Sequence, residues 1–389
     1  MTGSPKNNEN EIQEGNAVRI TEIQLIDGLF LIGPPGIGKT EIIRQRAREL
    51  AEKMNLKFVD LREVTDEQLT EILHNASQYC PFYRIAAPHL LPEDLGLPHK
   101  NTNGVKYAEI VPQKVLAIFT HPSLRCGVLF IDELNNVQRE DVITLLFTLI
   151  LEKEASWYLK LNPNVVVVAA GNPPSWSSVA NSLPLPMRMG RLIPVNVKPP
   201  SVEEWIQYMD RNYGDNWERL IAAYLTLYPE DLIATPPSVD EDDGLSAVPS
   251  PRSWTKLATL LPRLKAMNAS KEFIEQTIIG LVGQRVGRKV AALLLANINI
   301  KETTEKVLKN PETFDELNET EKILILDVAA QDPIRFKGLA KYLANKARDY
   351  LMIMLVLMKK EKRLMLLKDE DYRKILLGLA KELKDYIIG

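Results

Sequence analysis

The chain has 389 residues, 45% hydrophobic and 25% charged, with 48 Lys and Arg against 51 Asp and Glu for a net charge of −3. That length corresponds to two or three domains of about 150 residues, and the balance excludes a disordered tail or a fibrous repeat. A near-neutral molecule has no overall cationic field to hold nucleic acid or an anionic membrane, so either contact would have to be local. Two cysteines, Cys80 and Cys126, are too few for a disulfide framework and form no CxxC pair, which predicts buried thiols in a reducing cytoplasm. The polar N-terminus lacks the apolar stretch of a signal peptide. The longest apolar run, Tyr350 to Met358, falls short of the roughly 18–20 residues of a membrane-spanning helix, so no membrane span is expected.

In chain order, residues 1–18 offer no apolar face and are expected to be a flexible arm. Leu29 to Ile32 has the length of a buried parallel strand and runs into a Gly/Pro-rich turn. From Thr40 the period changes: Ile43, Ala47, Leu50 and Met54 share one helix face, and Lys57 to Leu61 is the next strand. A helix is expected over 66–78 and a strand over 83–87, followed by an irregular stretch through Gly104. Gly127 to Ile131 is a further buried strand, and 141–152 is a core helix. The segments 157–161 and 164–170 flank Asn162-Pro163 as a hairpin or a tight strand connection. Strands alternating with helices over the first 200 residues predict an α/β domain with a mainly parallel sheet.

Pro199-Pro200 marks a boundary, beyond which strand signal is scarce. Helices are expected at 201–211 and 215–228, then an acidic, proline-bearing loop over 229–251, helical sequence over 253–299, and three or four more helices over 312–388. Gly280, Gly283 and Gly287 lie inside helical periodicity with no preceding strand, which favours close helix packing over a phosphate loop.

The strongest chemical signal is Gly33-Pro34-Pro35-Gly36-Ile37-Gly38-Lys39-Thr40, a G-x4-GK[ST] match between a predicted strand and a predicted helix. Glycines let the backbone wrap an anion with its amides pointing inward, and the helix start adds its positive end. Lys39 is expected to reach the β- and γ-phosphates and the Thr40 hydroxyl to ligate Mg2+. Four apolar residues then end in Asp132-Glu133, where Asp132 would hold Mg2+ through its water shell and Glu133 would polarise an attacking water. A third apolar run ends in Gly171-Asn172-Pro173-Pro174, whose Asn172 carboxamide both donates and accepts and is expected at the γ-phosphate or the water. Arg188, Arg191 and Arg252 follow; guanidinium suits a developing phosphoryl charge because it stays ionised and presents a fork of donors. The 93 residues separating Lys39 from Asp132 leave room for two more strands, and for one inserted between the two motif strands.

Taken in order, GPPGIGKT, LFIDELN, AAGNPPS and SPRSW resemble the Walker A, Walker B, sensor 1 and sensor 2 motifs of an AAA+ ATPase, and more closely those of the MoxR-like group. The resemblance spans about residues 20–300 and includes LLPEDLGLP. It implies a P-loop NTPase core over 19–200, a helical lid over 201–300 carrying Arg252 as sensor 2, and a C-terminal helical extension over 301–389 that the resemblance does not explain. It makes Asn172 sensor 1 and Arg191 the finger entering a neighbour's site, with Arg188 the competitor. ATP and Mg2+, a homo-oligomeric ring, commonly hexameric, and a protein client such as a von Willebrand factor A domain protein come with it. By analogy the segment 88–110 and the hairpin 157–161 would engage the client. His89, His99 and His121 show no metal-ligand spacing. The leading expectation is Mg2+-dependent ATP hydrolysis that remodels a protein partner. A nucleic-acid motor or helicase loader is the alternative, resting on the acid-interrupted run at Lys359–Arg363, and a nucleotide-gated scaffold is the third.

Overall fold

The computed structural model describes residues 17–95, 97–101, 107–111, 113–156, 159–176, 180, 183–188, 190, 192–233, 246–296 and 300–378. The chain divides into two units, Met1–Pro199 and Pro200–Gly389.

The strands of the first unit include three short, unbroken apolar runs, at 29–32, 127–131 and 165–170, the pattern of strands covered on both faces, while the others carry polar residues. They assemble as β1 (Val18–Arg19), β2 (Leu29–Ile32), β3 (Lys57–Asp60), β4 (Tyr79–Ala86), β7 (Gly127–Asp132), β10 (Val165–Gly171) and β11 (Ile193–Lys198). Their order is β1-β11-β2-β10-β7-β4-β3, with every pairing parallel. The strand between β2 and β7 is β10, which follows both in the chain; of the main-sheet strands, those from the interval between Lys39 and Asp132, β3 and β4, lie beyond β7 instead. The helices of this unit are α1 (Lys39–Lys53), α2 (Asp66–His74), α3 (Lys114–Thr120), α4 (Glu140–Glu152) and the short α5 (Leu185–Arg188). Leu129 and Ile131 of β7 and Val165, Val167 and Ala169 of β10 share a core with Phe119 of α3 and Leu146 and Leu149 of α4. Those alternate positions point to one face of the sheet, as the strand period requires.

Several features differ from the sequence expectation or narrow it. The segment read as irregular through Gly104 contains an antiparallel hairpin, β5 (Leu97–Asn101) with β6 (Tyr107–Val111). The helix α3 was not anticipated either. Of the two readings of Asn162-Pro163 the tight connection holds and the hairpin does not: β9 (Leu159–Lys160) pairs with β8 (Glu154–Ser156), and the turn to β10 is closed by Val165 N–H on Asn162 O at 3.0 Å. Trp157 lies outside the described residues, as does the arm over 1–16; Val18 and Arg19 already form β1. Finally, the cysteines are not thiols. Phe82 stands opposite Val128, so the same register sets Cys80 opposite Cys126, and the structure joins them as a disulfide with Cα atoms 4.8 Å apart.

The second unit is helical among its described residues, and one core runs from Val202 to Leu376. The segments expected as lid and extension therefore share it. The charge network agrees: Asp210 accepts from Arg219 at 2.7 Å and from Arg363 at 2.5 Å, tying helix Val202–Tyr213 to helix Lys360–Leu366. Trp205 and Trp217 meet edge to face at 5.7 Å in the same core. The apolar run at Tyr350 falls in helix Arg348–Leu357, whose buried residues include Met354 and Leu355. Among the described residues no helix is long and apolar enough to cross a membrane. The central part of the acidic loop, 234–245, lies outside the described residues.

Candidate functional site

The site collects at the C-terminal ends of β2, β10 and β7, where a parallel sheet with α/β crossovers leaves a crevice for ligands. After β2 the chain turns through Gly33 to Gly38, with Gly36 and Gly38 at φ 77° and 99°. That left-handed backbone is open to glycine at no steric cost. Gly38 caps α1 without any side-chain hydrogen bond, so the first-turn amides are left to an anion.

Lys39 opens α1 and is buried. Its Nζ donates to Gly33 O at 2.6 Å, Pro34 O at 2.8 Å and Asn172 Oδ1 at 3.0 Å. The ammonium thus lies across the loop, already touching the amide that ends β10. One residue on, Thr40 Oγ1 donates to Asp132 Oδ2 at 3.0 Å. Two separate contacts bring the three motifs together.

Asp132 ends β7 and is 6% exposed. Its Oδ1 accepts from the Glu133 N–H at 3.0 Å. Glu133 itself sits at φ 58°, ψ 37°, a left-handed conformation uncommon for a residue with a β-carbon. Successive residues of a strand point to opposite faces; the turn at Glu133 breaks that alternation immediately after Asp132.

Two residues not singled out by their sequence complete the arrangement. Asn135, buried in the turn Leu134–Asn136, donates Nδ2 to Asn172 O at 2.7 Å and accepts the Asn172 N–H on Oδ1 at 3.1 Å. It clamps the backbone of Asn172 from both sides. Gly171 leaves the room for this, since a β-carbon there would stand 2.3 Å from Asn135 Oδ1. The other is Arg84 on β4, whose Nε and Nη2 both lie 2.8 Å from Asp132 Oδ2. Asn135 belongs to the LFIDELN run, so proximity to Asp132 was a signal; Arg84 had none without the register of β4.

The arginines are distributed differently. Arg188 closes α5, and Arg191 lies outside the described residues. Arg252 belongs to the second unit, where Ser250 caps helix Pro251–Ala266 through a reciprocal box with Ser253 and Pro251 occupies the first turn. Trp254 anchors that turn in the core and donates Nε1 to Asp231 O at 2.9 Å, while Arg252 is exposed.

The donors present fit the ligands expected from the sequence. A glycine loop, a helix start and a buried lysine suit polyphosphate. Thr40 Oγ1 and Asp132 Oδ2 are hard oxygens of the kind that hold Mg2+ together with phosphate and water rather than in an all-protein cage. Accordingly, among the described residues no group of three or more His, Cys, Asp and Glu is placed to hold a metal by itself.

No curated protein sequence matches the chain significantly. Solved structures with similarity include NtrX from Brucella abortus, at 12% identity over 75% of this chain and 69% of that one, with a TM-score of 0.28. Cdc6p from Pyrobaculum aerophilum has 14% identity over 96% and 84% of the two chains, with a TM-score of 0.34. The RuvB Holliday junction branch migration motor of Thermotoga maritima has 16% identity over 88% and 80%, with a TM-score of 0.28. Residues 29–197 match the ATPase family associated with various cellular activities (AAA), and the match takes in both motif strands, the lysine loop and Asn172. The match to an AAA ATPase domain lies within the α/β unit and covers under half of the chain.

Proposed function

We propose that the protein hydrolyses ATP with Mg2+ and uses the turnover to remodel a protein partner, in the manner of MoxR-like AAA+ ATPases. The observation that carries the reading is the convergence of Lys39 on Asn172 and of Thr40 on Asp132, which joins three strand ends into one polar centre. In this reading the amides of Gly36, Ile37 and Gly38, with Gly33, Pro34 and Pro35 shaping the loop, bind the phosphate chain. Lys39 exchanges its contacts to Gly33 O and Pro34 O for phosphate oxygens. Thr40 and Asp132 hold the metal, which when bound supplies charge neutralisation at the β- and γ-oxygens. Glu133 takes the proton of the attacking water, and Asn172 orients that water or the γ-phosphate.

Arg252 would act as sensor 2, and Arg191, or Arg188, as the finger donated to a neighbouring subunit in a ring. A hexamer acting on a partner such as a von Willebrand factor A domain protein extends the same reading; the Cys80–Cys126 bond removes the cysteine argument for a reducing cytoplasm. The hairpins β5–β6 and β8–β9, both outside the main sheet, are the proposed contact surface. The near-neutral charge favours a protein client over a nucleic-acid track.

The test is a pair of variants. Lys39→Ala should abolish nucleotide binding, while Glu133→Gln should bind ATP and turn over at least ~100-fold more slowly, as expected for loss of a general base. Wild-type turnover by Glu133→Gln would remove the assignment. Stimulation of turnover by duplex DNA at low salt, lost as salt rises, would move the client assignment to nucleic acid.

A further inference from the structure

The proposal concerns Arg84 and rests on the reading of Thr40 and Asp132 as the metal-holding pair. The strand β4 pairs with β7 so that Arg84 stands opposite Phe130 and Ala86 opposite Asp132. Arg84 is therefore the diagonal neighbour of Asp132 on the same face, within reach of a long side chain. Ala86, the residue directly opposite, has only a methyl group and leaves the way clear. The guanidinium uses it: Nε and Nη2 both meet Oδ2 of a carboxylate that is almost wholly shielded from solvent.

The choice of oxygen is the informative detail. Oδ1 of Asp132 is engaged by the Glu133 N–H, so Oδ2 is the oxygen left to face a metal's water shell. That oxygen already takes Thr40 Oγ1 and both guanidinium nitrogens. A dication held between Thr40 and Asp132 must therefore compete with Arg84 for one atom. A buried carboxylate without a partner is costly, which is why a resident cation is retained when no metal is there. The guanidinium also has somewhere to go. It lines a cleft of 310 Å³ beside Arg62, Tyr83, His89, Asp94 and Gln113.

We infer that Arg84 is the resident counter-ion of Asp132, displaced when the metal enters, and that it sets the Mg2+ concentration at which nucleotide is bound productively. It acts through Asp132 and is a positioning residue. A purely structural ion pair would lower stability on removal without changing the metal dependence.

The experiment uses the full chain and a fluorescent ADP analogue, titrating Mg2+ into the EDTA-treated complex of wild type, Arg84→Gln and Arg84→Lys. The Mg2+ midpoint of Arg84→Gln should fall about fivefold or more, the scale of a lost, partly buried charge-assisted pair. Arg84→Lys, which keeps the charge but not the fork, should lie between the two. A second readout needs no stable Arg84→Gln protein: in wild type, the Arg84 Nε–H NMR signal, identified by its loss in Arg84→Lys, should lose its exchange protection when Mg2+ is added to the ADP complex. An unchanged or raised midpoint in Arg84→Gln, or an Nε–H signal indifferent to Mg2+, overturns the inference while leaving the ATPase reading intact. Nucleotide binding that needs neither Lys39 nor Mg2+ would instead overturn the reading of the site itself.

Discussion

Asn135→Ala isolates the clamp on Asn172. Truncation removes the 2.7 Å and 3.1 Å hydrogen bonds and leaves the buried main-chain N–H and C=O of Asn172 without these partners. Each orphaned group costs about 1–3 kcal/mol, and water entering the small hole recovers part of it, so a loss of roughly 2–4 kcal/mol is expected. With a urea dependence of about 2–3 kcal/mol per molar for a unit of this size, the midpoint should drop by roughly 1 M. Far-UV circular dichroism is the chosen probe, because it follows the backbone directly, whereas three of the five tryptophans, Trp205, Trp217 and Trp254, report on the second unit. Turnover should fall by about 10–100-fold, since a shift on the order of 1 Å in a positioning group costs that much. Asn135→Asp sharpens the test. It keeps an acceptor for the Asn172 N–H but sets two oxygens against each other at Asn172 O, and should be at least as damaging as alanine. A urea midpoint within about 0.2 M of wild type together with unchanged turnover would refute the clamp.

Other expectations follow from particular environments. Burial, with Glu218 nearby, holds the Asp327 carboxyl above its ordinary value of 3.8, against the opposing pull of Gln331 and Lys265. The folded chain binds this proton more tightly than the unfolded chain, so stability falls as pH rises from 3.8 through the raised value and stays lower above it. Asp327→Asn should therefore raise the melting temperature at neutral pH, with the gain vanishing on acidification; no gain at neutral pH would contradict the burial argument. The glycines of the second unit should separate in sign. Gly280 has open space where a β-carbon would stand and lies in helix Lys271–Val282, so Gly280→Ala should stabilise by about 0.5–1 kcal/mol. Gly283 sits at φ 78°, with a β-carbon 2.4 Å from Ala247 O, so Gly283→Ala should destabilise by about 2 kcal/mol or more in thermal unfolding.

What was legible in the sequence follows the range of the forces involved. The lysine loop, its strand and its helix are encoded within a few residues of one another, and α1 begins where the period changes. The helix start at Ser250-Pro251 is equally local. Close packing accounts for Gly283 and Gly287, but not for Gly280, whose spacing alone had grouped it with them. The strand β4 starts at Tyr79 rather than at residue 83, with Pro81 inside it. In the sheet Pro81 pairs only with Val59 of β3, and the pairing with β7 begins at Phe82, so its missing N–H is tolerated. The hairpin β5–β6 carries Pro98, His99, Lys100 and Asn101 on one arm, with none of the apolar alternation that marks a strand. Arg84, Asn135 and the Cys80–Cys126 bond depend on which strands lie side by side and in what register, which no local pattern contains.

The left-handed backbone at Glu133 carries a consequence for evolution of the fold. A side chain at φ 58° costs on the order of 1 kcal/mol relative to glycine, and selection for stability alone would favour losing it. Glu133→Gly should accordingly give a more heat-resistant unit that lacks the carboxylate proposed as the general base. With glutamate here, the domain accepts a weaker fold for a carboxylate that the alternation of a regular strand would have turned to the other face.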